Sequence, residues 1–156
     1  MKSVGSRNST RGNKVQKIIA ERYGGTSVIN KGYDVELENC LLEVKSCLSW
    51  QYHQSKDKSR PTNARVLINV EKHETLKQKA DEKNKKAIYA FVKIPRQENG
   101  KIERNSEEWL EAWVRWEYLD GIFKNPETRR VVKCESKSYG VRYYYRIPLK
   151  LIFGKN

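Results

Sequence analysis

Three side chains close together in the chain, Asp34, Glu43 and Lys45, have the types needed for metal-assisted chemistry on a phosphate. Two runs that alternate apolar and polar residues flank Glu38-Asn39, the pattern of a β-hairpin. With Glu38-Asn39 as the loop, Leu37 faces Cys40, Val35 faces Leu42 and Tyr33 faces Val44, forming one apolar face. The other face then sets Glu36 opposite Leu41 and Asp34 opposite Glu43, with Lys45 beside Glu43. Directly opposed carboxylates have Cβ atoms about 5 Å apart and repel each other. A divalent cation between them removes that cost, since hard cations take carboxylate oxygens as ligands. Lys45 would add a fixed positive charge able to orient a water or stabilise a crowded phosphate. A loop slid to Asn39-Cys40 keeps the apolar face but pairs Asp34 with Lys45 in an ordinary cross-strand salt bridge. The alternation alone leaves both registers open.

The elements around this hairpin must position it. Residues 12–23 carry Val15, Ile18, Ile19 and Arg22 on one helical stripe, and Gly24-Gly25 ends it. Ahead of it, residues 1–11 lack periodicity and read as a flexible basic arm with Lys2, Arg7 and Arg11. A short strand is expected over residues 26–30. Beyond Lys45 the strand continues to Leu48, and residues 50–61 then form a polar, basic loop with Trp50 and Tyr52 near its start. Such a mixture suits phosphates and unstacked bases.

Residues 65–70 read as a strand, 71–85 as a surface helix with His73, Leu76, Lys77 and Ala80 on one side, and 87–94 as a core strand. Strand, helix and strand imply a crossover and one parallel pair in an otherwise antiparallel sheet. Residues 95–105 are a polar connection, and Ser106 is placed to cap a helix. Trp109, Trp113 and Trp116 fit either a helix or a strand and read as core or dimer contacts rather than base platforms. A short helix is expected over 118–123 and a basic segment over 129–137. The Tyr-rich strand over 141–153 should lie at an edge because of Pro148.

The chain has 156 residues and a formal charge of +13, which points to nucleic acid before an anionic membrane or an acidic protein. Length and composition suit one domain over residues 12–156 behind the arm. No apolar run reaches the roughly 20 residues of a membrane span, and no signal-peptide core follows the start. Three cysteines, Cys40, Cys47 and Cys134, form no CxxC pair, so an intracellular, reducing setting is expected.

The string Asp34, eight residues, Glu43-Val44-Lys45 resembles the PD-(D/E)xK signature of restriction-endonuclease-like nucleases. The order of elements around it is similar to that of archaeal Holliday-junction resolvases. That resemblance implies an α/β fold with a restriction-endonuclease-like core, a mixed central β-sheet flanked by helices (αβββαβ). It implies a Mg²⁺-dependent endonuclease acting on branched or duplex DNA, with Mn²⁺ as an alternative metal. Asp34, Glu43 and the Val44 carbonyl would bind metal, and Lys45 would position the water. The family often adds a Glu from the first helix. Here that position falls near Gln16, and Glu21 lies further along. DNA contacts are expected from Arg7, Arg11, Lys14, Lys31, Ser46, Tyr52, His53, Lys56, Lys58 and Arg60. A homodimer follows from the need for two cuts, with a cytoplasmic, nucleoid-associated setting. The competing readings are a non-catalytic nucleic-acid-binding protein on a degenerate nuclease fold, and a site-specific restriction or homing-type endonuclease.

Overall fold

A computed structural model describes residues 4–48, 50–52, 61–63, 65–94 and 109–154. Helix α1 spans Val4–Tyr23 and ends where Gly25 N–H donates to the Ala20 carbonyl at 2.8 Å. A side chain at Gly25 would meet Leu37 Cδ2 at 2.3 Å and the Glu36 carbonyl at 2.5 Å, so only glycine allows the turn to press against the hairpin. There follow β1 (Thr26–Ser27), β2 (Val35–Glu36), β3 (Cys40–Leu48), β4 (Trp50–Tyr52), β5 (Pro61–Asn63) and β6 (Arg65–Asn69). Next come α2 (Val70–Glu82), β7 (Lys86–Ile94), β8 (Leu110–Arg115) and α3 (Trp116–Lys124). The chain closes with β9 (Val131–Ser136), β10 (Gly140–Pro148) and α4 (Lys150–Phe153).

The fold is α/β with a mixed central sheet flanked by helices. Its strand order is β1-β2-β3-β7-β8, and only β3 and β7 run parallel, from Cys40 opposite Lys86 to Leu48 opposite Ile94. On one face α1 buries Val15, Ile19 and Ala20 against Val35, Cys40, Leu42, Val44, Ala90 and Val92. On the other, Leu76 and Ala80 of α2 and Leu119 and Phe123 of α3 pack on Leu41, Tyr89 and Phe91. β7 is therefore buried on both sides, as its near-continuous apolar sequence demands. Full burial of side chains such as Leu41, Leu42 and Phe91 stabilises the sheet by about 1.5–3 kcal/mol each.

A second sheet, β6-β10-β9, is antiparallel and joins the α2 side of the core through Val66, Ile68, Tyr145 and Ile147. Several sequence expectations change here. The strand ahead of α2 belongs to this second sheet, so the parallel partner of β7 is β3 and not β6. Strand β10 lies in the middle of its sheet, and Pro148 is tolerated because it is the last residue. Helix α1 starts at Val4, so most of the expected flexible arm is helical backbone. The expected loop after β3 contains a two-stranded ribbon, with Trp50 opposite Asn63 and Tyr52 opposite Pro61. Helix α2 is not a thinly seated surface helix, because His73, Leu76 and Ala80 are fully buried. Trp113 falls on a strand and Trp116 opens a helix. The polar connection over 95–105 and the Ser106 cap lie outside the described residues. Among the described residues, no helix is long and apolar enough to cross a membrane.

Candidate metal centre

The hairpin adopts the register set by a Glu38-Asn39 loop. Val35 is opposite Leu42 and Glu36 is opposite Leu41, which excludes the pairing of Asp34 with Lys45. One residue further out the ladder breaks. Asp34 N–H donates to the Leu42 carbonyl at 2.8 Å, although Leu42 is already the partner of Val35. Two residues thus oppose one, which is a β-bulge, a device that re-aims side chains at the end of a strand pair. Tyr33 pays the consequence. Expected beside Val35, it is buried instead on the α2 side, where its hydroxyl donates to Glu36 Oε1 at 3.0 Å.

The bulge turns the Asp34 carboxylate toward the edge of β3, where Oδ2 accepts the Val44 N–H at 2.8 Å. Glu43 stands on the next residue, and Lys45 Nζ lies 3.0 Å from Glu43 Oε1. All three side chains are half-buried. Burial pushes the Asp34 carboxyl up to about 6, and the nearby Glu43 charge adds to the rise. The Val44 N–H, Lys45 and Lys72 oppose it. Helix α2 brings Lys72 over this segment because Gly32, at φ 88°, admits Thr75 where a side chain would meet its Cγ2 at 2.7 Å. Among the described residues no lysine or arginine forms an ion pair with Asp34.

The donors fit a hard cation. Asp34 and Glu43 offer carboxylate oxygens, and the Val44 carbonyl leaves β3 on the same edge as its N–H, toward Asp34. A cation there would offset both the burial and the neighbouring Glu43 charge that raise Asp34. No protein-family model and no curated protein matches this chain.

The other residues singled out in the sequence are scattered. Helix α1 packs on the sheet face opposite Glu43 and Lys45. Gln16 is half-buried there and Glu21 is exposed. Among the described residues, neither makes a hydrogen bond or ion pair with Asp34, Glu43 or Lys45. Lys14 is half-buried on α1, Ser46 is half-buried on β3, and Lys31 is exposed ahead of the bulge. Arg7 and Arg11 fall on the α1 backbone and Tyr52 on β4. His53, Lys56, Lys58 and Arg60 lie outside the described residues.

Two features were missed in the sequence. One is Lys72, whose charge reaches Asp34 from α2. The other is a buried polar chain behind Glu43. Tyr89 is the register partner of Glu43, and its hydroxyl lies 2.7 Å from His73 Nδ1. His73 Nε2 lies 3.1 Å from Asp120 Oδ1. The imidazole stacks on Trp116 at 4.5 Å, and burial lowers its pKa despite Asp120. His73, Glu74 and Asp120 bring one ligand atom each within 4.8 Å of one another, so the group could hold a metal. As it stands each member is already partnered, with Glu74 Oε1 2.7 Å from Lys124 Nζ. The sequence put His73 with Leu76, Lys77 and Ala80 on one side of a surface helix and so gave no sign that His73 is buried, and Tyr89 and Asp120 come from distant elements.

Proposed function

We propose that the protein is a Mg²⁺-dependent DNA endonuclease built on a restriction-endonuclease-like core. One observation carries the reading. The bulge brings Asp34, a carboxylate without a cationic side-chain partner among the described residues, up against Glu43 and the Val44 backbone, with Lys45 alongside. A structural role gives no reason to crowd two acids while lysines elsewhere on the surface go to other carboxylates.

The residues divide the work. Asp34, Glu43 and the Val44 carbonyl would hold the ion. Bound there, Mg²⁺ supplies polarisation of the scissile phosphate and a bound water of lowered pKa. The Lys45 ammonium, held by Glu43 at 3.0 Å, would donate to the attacking water or to a non-bridging phosphate oxygen. The water oxygen would bond to phosphorus and release a proton to solvent as the bridging P–O bond breaks, and the leaving oxygen would take up a proton from solvent. Lys72 adds positive charge for the incoming backbone, within the +13 of the whole chain. Branched DNA is the preferred substrate and Mn²⁺ the alternative metal, both by resemblance to junction resolvases, as is a symmetric dimer making paired cuts.

Plasmid and a four-way junction, each incubated with and without Mg²⁺, test this. Cleavage should require Mg²⁺ and should fall at least about 100-fold in Asp34→Ala and Lys45→Ala while binding persists. Tight, salt-sensitive binding with no metal-dependent cutting of either substrate would sink the enzyme and leave a basic binding protein. The Gln at position 16, in place of the family's acid, favours that second reading.

A further inference from the structure

Strand β10 outruns the core it serves. Tyr145 and Ile147 are buried, but Tyr143 and Val141, on the same side of the strand, are each 51% exposed. Tyr139, in the turn before them, is 41% exposed, and the Arg142 guanidinium lies 4.1 Å from the centre of its ring. A cavity of about 420 Å³ opens between these residues and the β6–α2 junction, lined by Asn69, Glu71, Tyr139, Val141, Arg142 and Tyr143. Two tyrosine rings and a valine exposed together beside an arginine offer a surface on which flat rings can stack. The surroundings select what does. The β9–β10 ribbon also carries Lys133, Lys137 and Arg146, and Arg129 and Arg130 precede it. An apolar protein partner would gain little from this rim, whereas a polyanion with flat faces fits both features.

We propose that the Tyr139–Tyr143 segment is a stacking platform for unpaired bases of a DNA strand. Tyr139 and Tyr143 offer ring faces, and Arg142 holds the phosphate between successive bases. The Glu71 carboxylate on the opposite wall repels phosphate, so the backbone lies on the Arg142 side. The cavity reaches the first turn of α2, the turn that also presents Lys72 to Asp34. A strand seated on the platform is thereby led toward the candidate metal centre. The substrate this implies is DNA with single-stranded character beside the cut, which rests on the endonuclease reading; the platform itself does not.

The test is fluorescence anisotropy without metal, using a labelled oligothymidine and a blunt duplex of equal length. In Tyr139→Ala/Tyr143→Ala, affinity for oligothymidine should fall by about 10-fold or more while affinity for the duplex stays within about twofold. Tyr143→Phe keeps the ring and should bind like the unmodified protein. Both tyrosines are exposed, and thermal melting checks that the variants remain folded. Equal oligothymidine binding by the double variant overturns the platform, as does an equal loss on both probes. Because no metal is present, either result is independent of cleavage. A protein that never cuts DNA could still show the platform, and a nuclease lacking it would still cut.

Discussion

Glu36 and Asp34 lie two residues apart at the same hairpin, yet the fold gives them opposite surroundings. Glu36 receives Lys85 at 2.9 Å, Lys83 at 3.0 Å and the Tyr33 hydroxyl at 3.0 Å. Those hydrogen bonds, led by Lys85, hold its carboxyl well below the ordinary range. Asp34 is half-buried, beside the charge of Glu43 and with one backbone N–H as a close partner, and burial first and Glu43 second hold its carboxyl well above that range. Helix α2 and the turn after it supply lysines to both, but as close partners only to Glu36. A carboxylate that merely ties the hairpin down looks like Glu36. The bulge at Asp34 leaves a half-buried carboxylate beside Glu43 with one backbone N–H as its close partner among the described residues.

Three measurements test this contrast. The largest effect should come from metal. At Mg²⁺ about a hundredfold above its dissociation constant, mass action adds about 2.7 kcal/mol, which raises the melting temperature by about 5 °C or more. Asp34→Asn should abolish that shift and Glu36→Gln should retain it; a shift that survives Asp34→Asn places the ion elsewhere, with His73, Glu74 and Asp120 the next group to probe.

The second effect appears without metal. The folded pKa of Asp34 is raised, so the folded state binds the proton more tightly than the unfolded one, and stability falls as pH rises through about 4 to 6. Asp34→Asn should therefore stabilise the metal-free protein by about 1–2 kcal/mol near pH 8, a gain that vanishes below about pH 4. Urea unfolding across that range reads it directly, and a variant less stable than the parent near pH 8 contradicts the crowding of the two acids.

The smallest effect has the opposite sign. Glu36 has a lowered folded pKa, so its contribution is present above its unfolded value and is lost as pH falls below it. Glu36→Gln should cost under about 1 kcal/mol at neutral pH, and the loss should shrink with added salt.

How far the sequence spoke for itself differs by element. Alternation around Glu38-Asn39 carried the hairpin and its apolar face but left two registers open, because a loop slid to Asn39-Cys40 keeps the same side chains on that face; only the fold sets Val35 opposite Leu42. Alternation could not carry the bulge, because an extra residue at Asp34 costs the pattern only Tyr33, an amphipathic side chain that is at home on either face. The order of strand, helix and strand over 65–94 was visible, but order does not say which sheet a strand joins. β6 went to β10, a partner near the end of the chain that no local signal names. The start of α1 was hidden because Gly5, Ser6, Asn8, Ser9 and Thr10 carry no apolar stripe. In the candidate centre, Asp34, Glu43 and Lys45 were readable as types at a spacing. Lys72, Tyr89 and Asp120 were not, since the tertiary fold alone brings them near.

The parallel seam between β3 and β7 has a consequence for how the molecule is born. The hairpin closes over a few residues, whereas Cys40 must wait for Lys86 before the far side of its strand is covered. Loop closure over that distance is the slower step, so a growing chain presents a long, greasy, half-zipped ribbon while the remainder is still being made. Such a ribbon invites pairing with another copy, and conditions that slow synthesis lengthen its exposure.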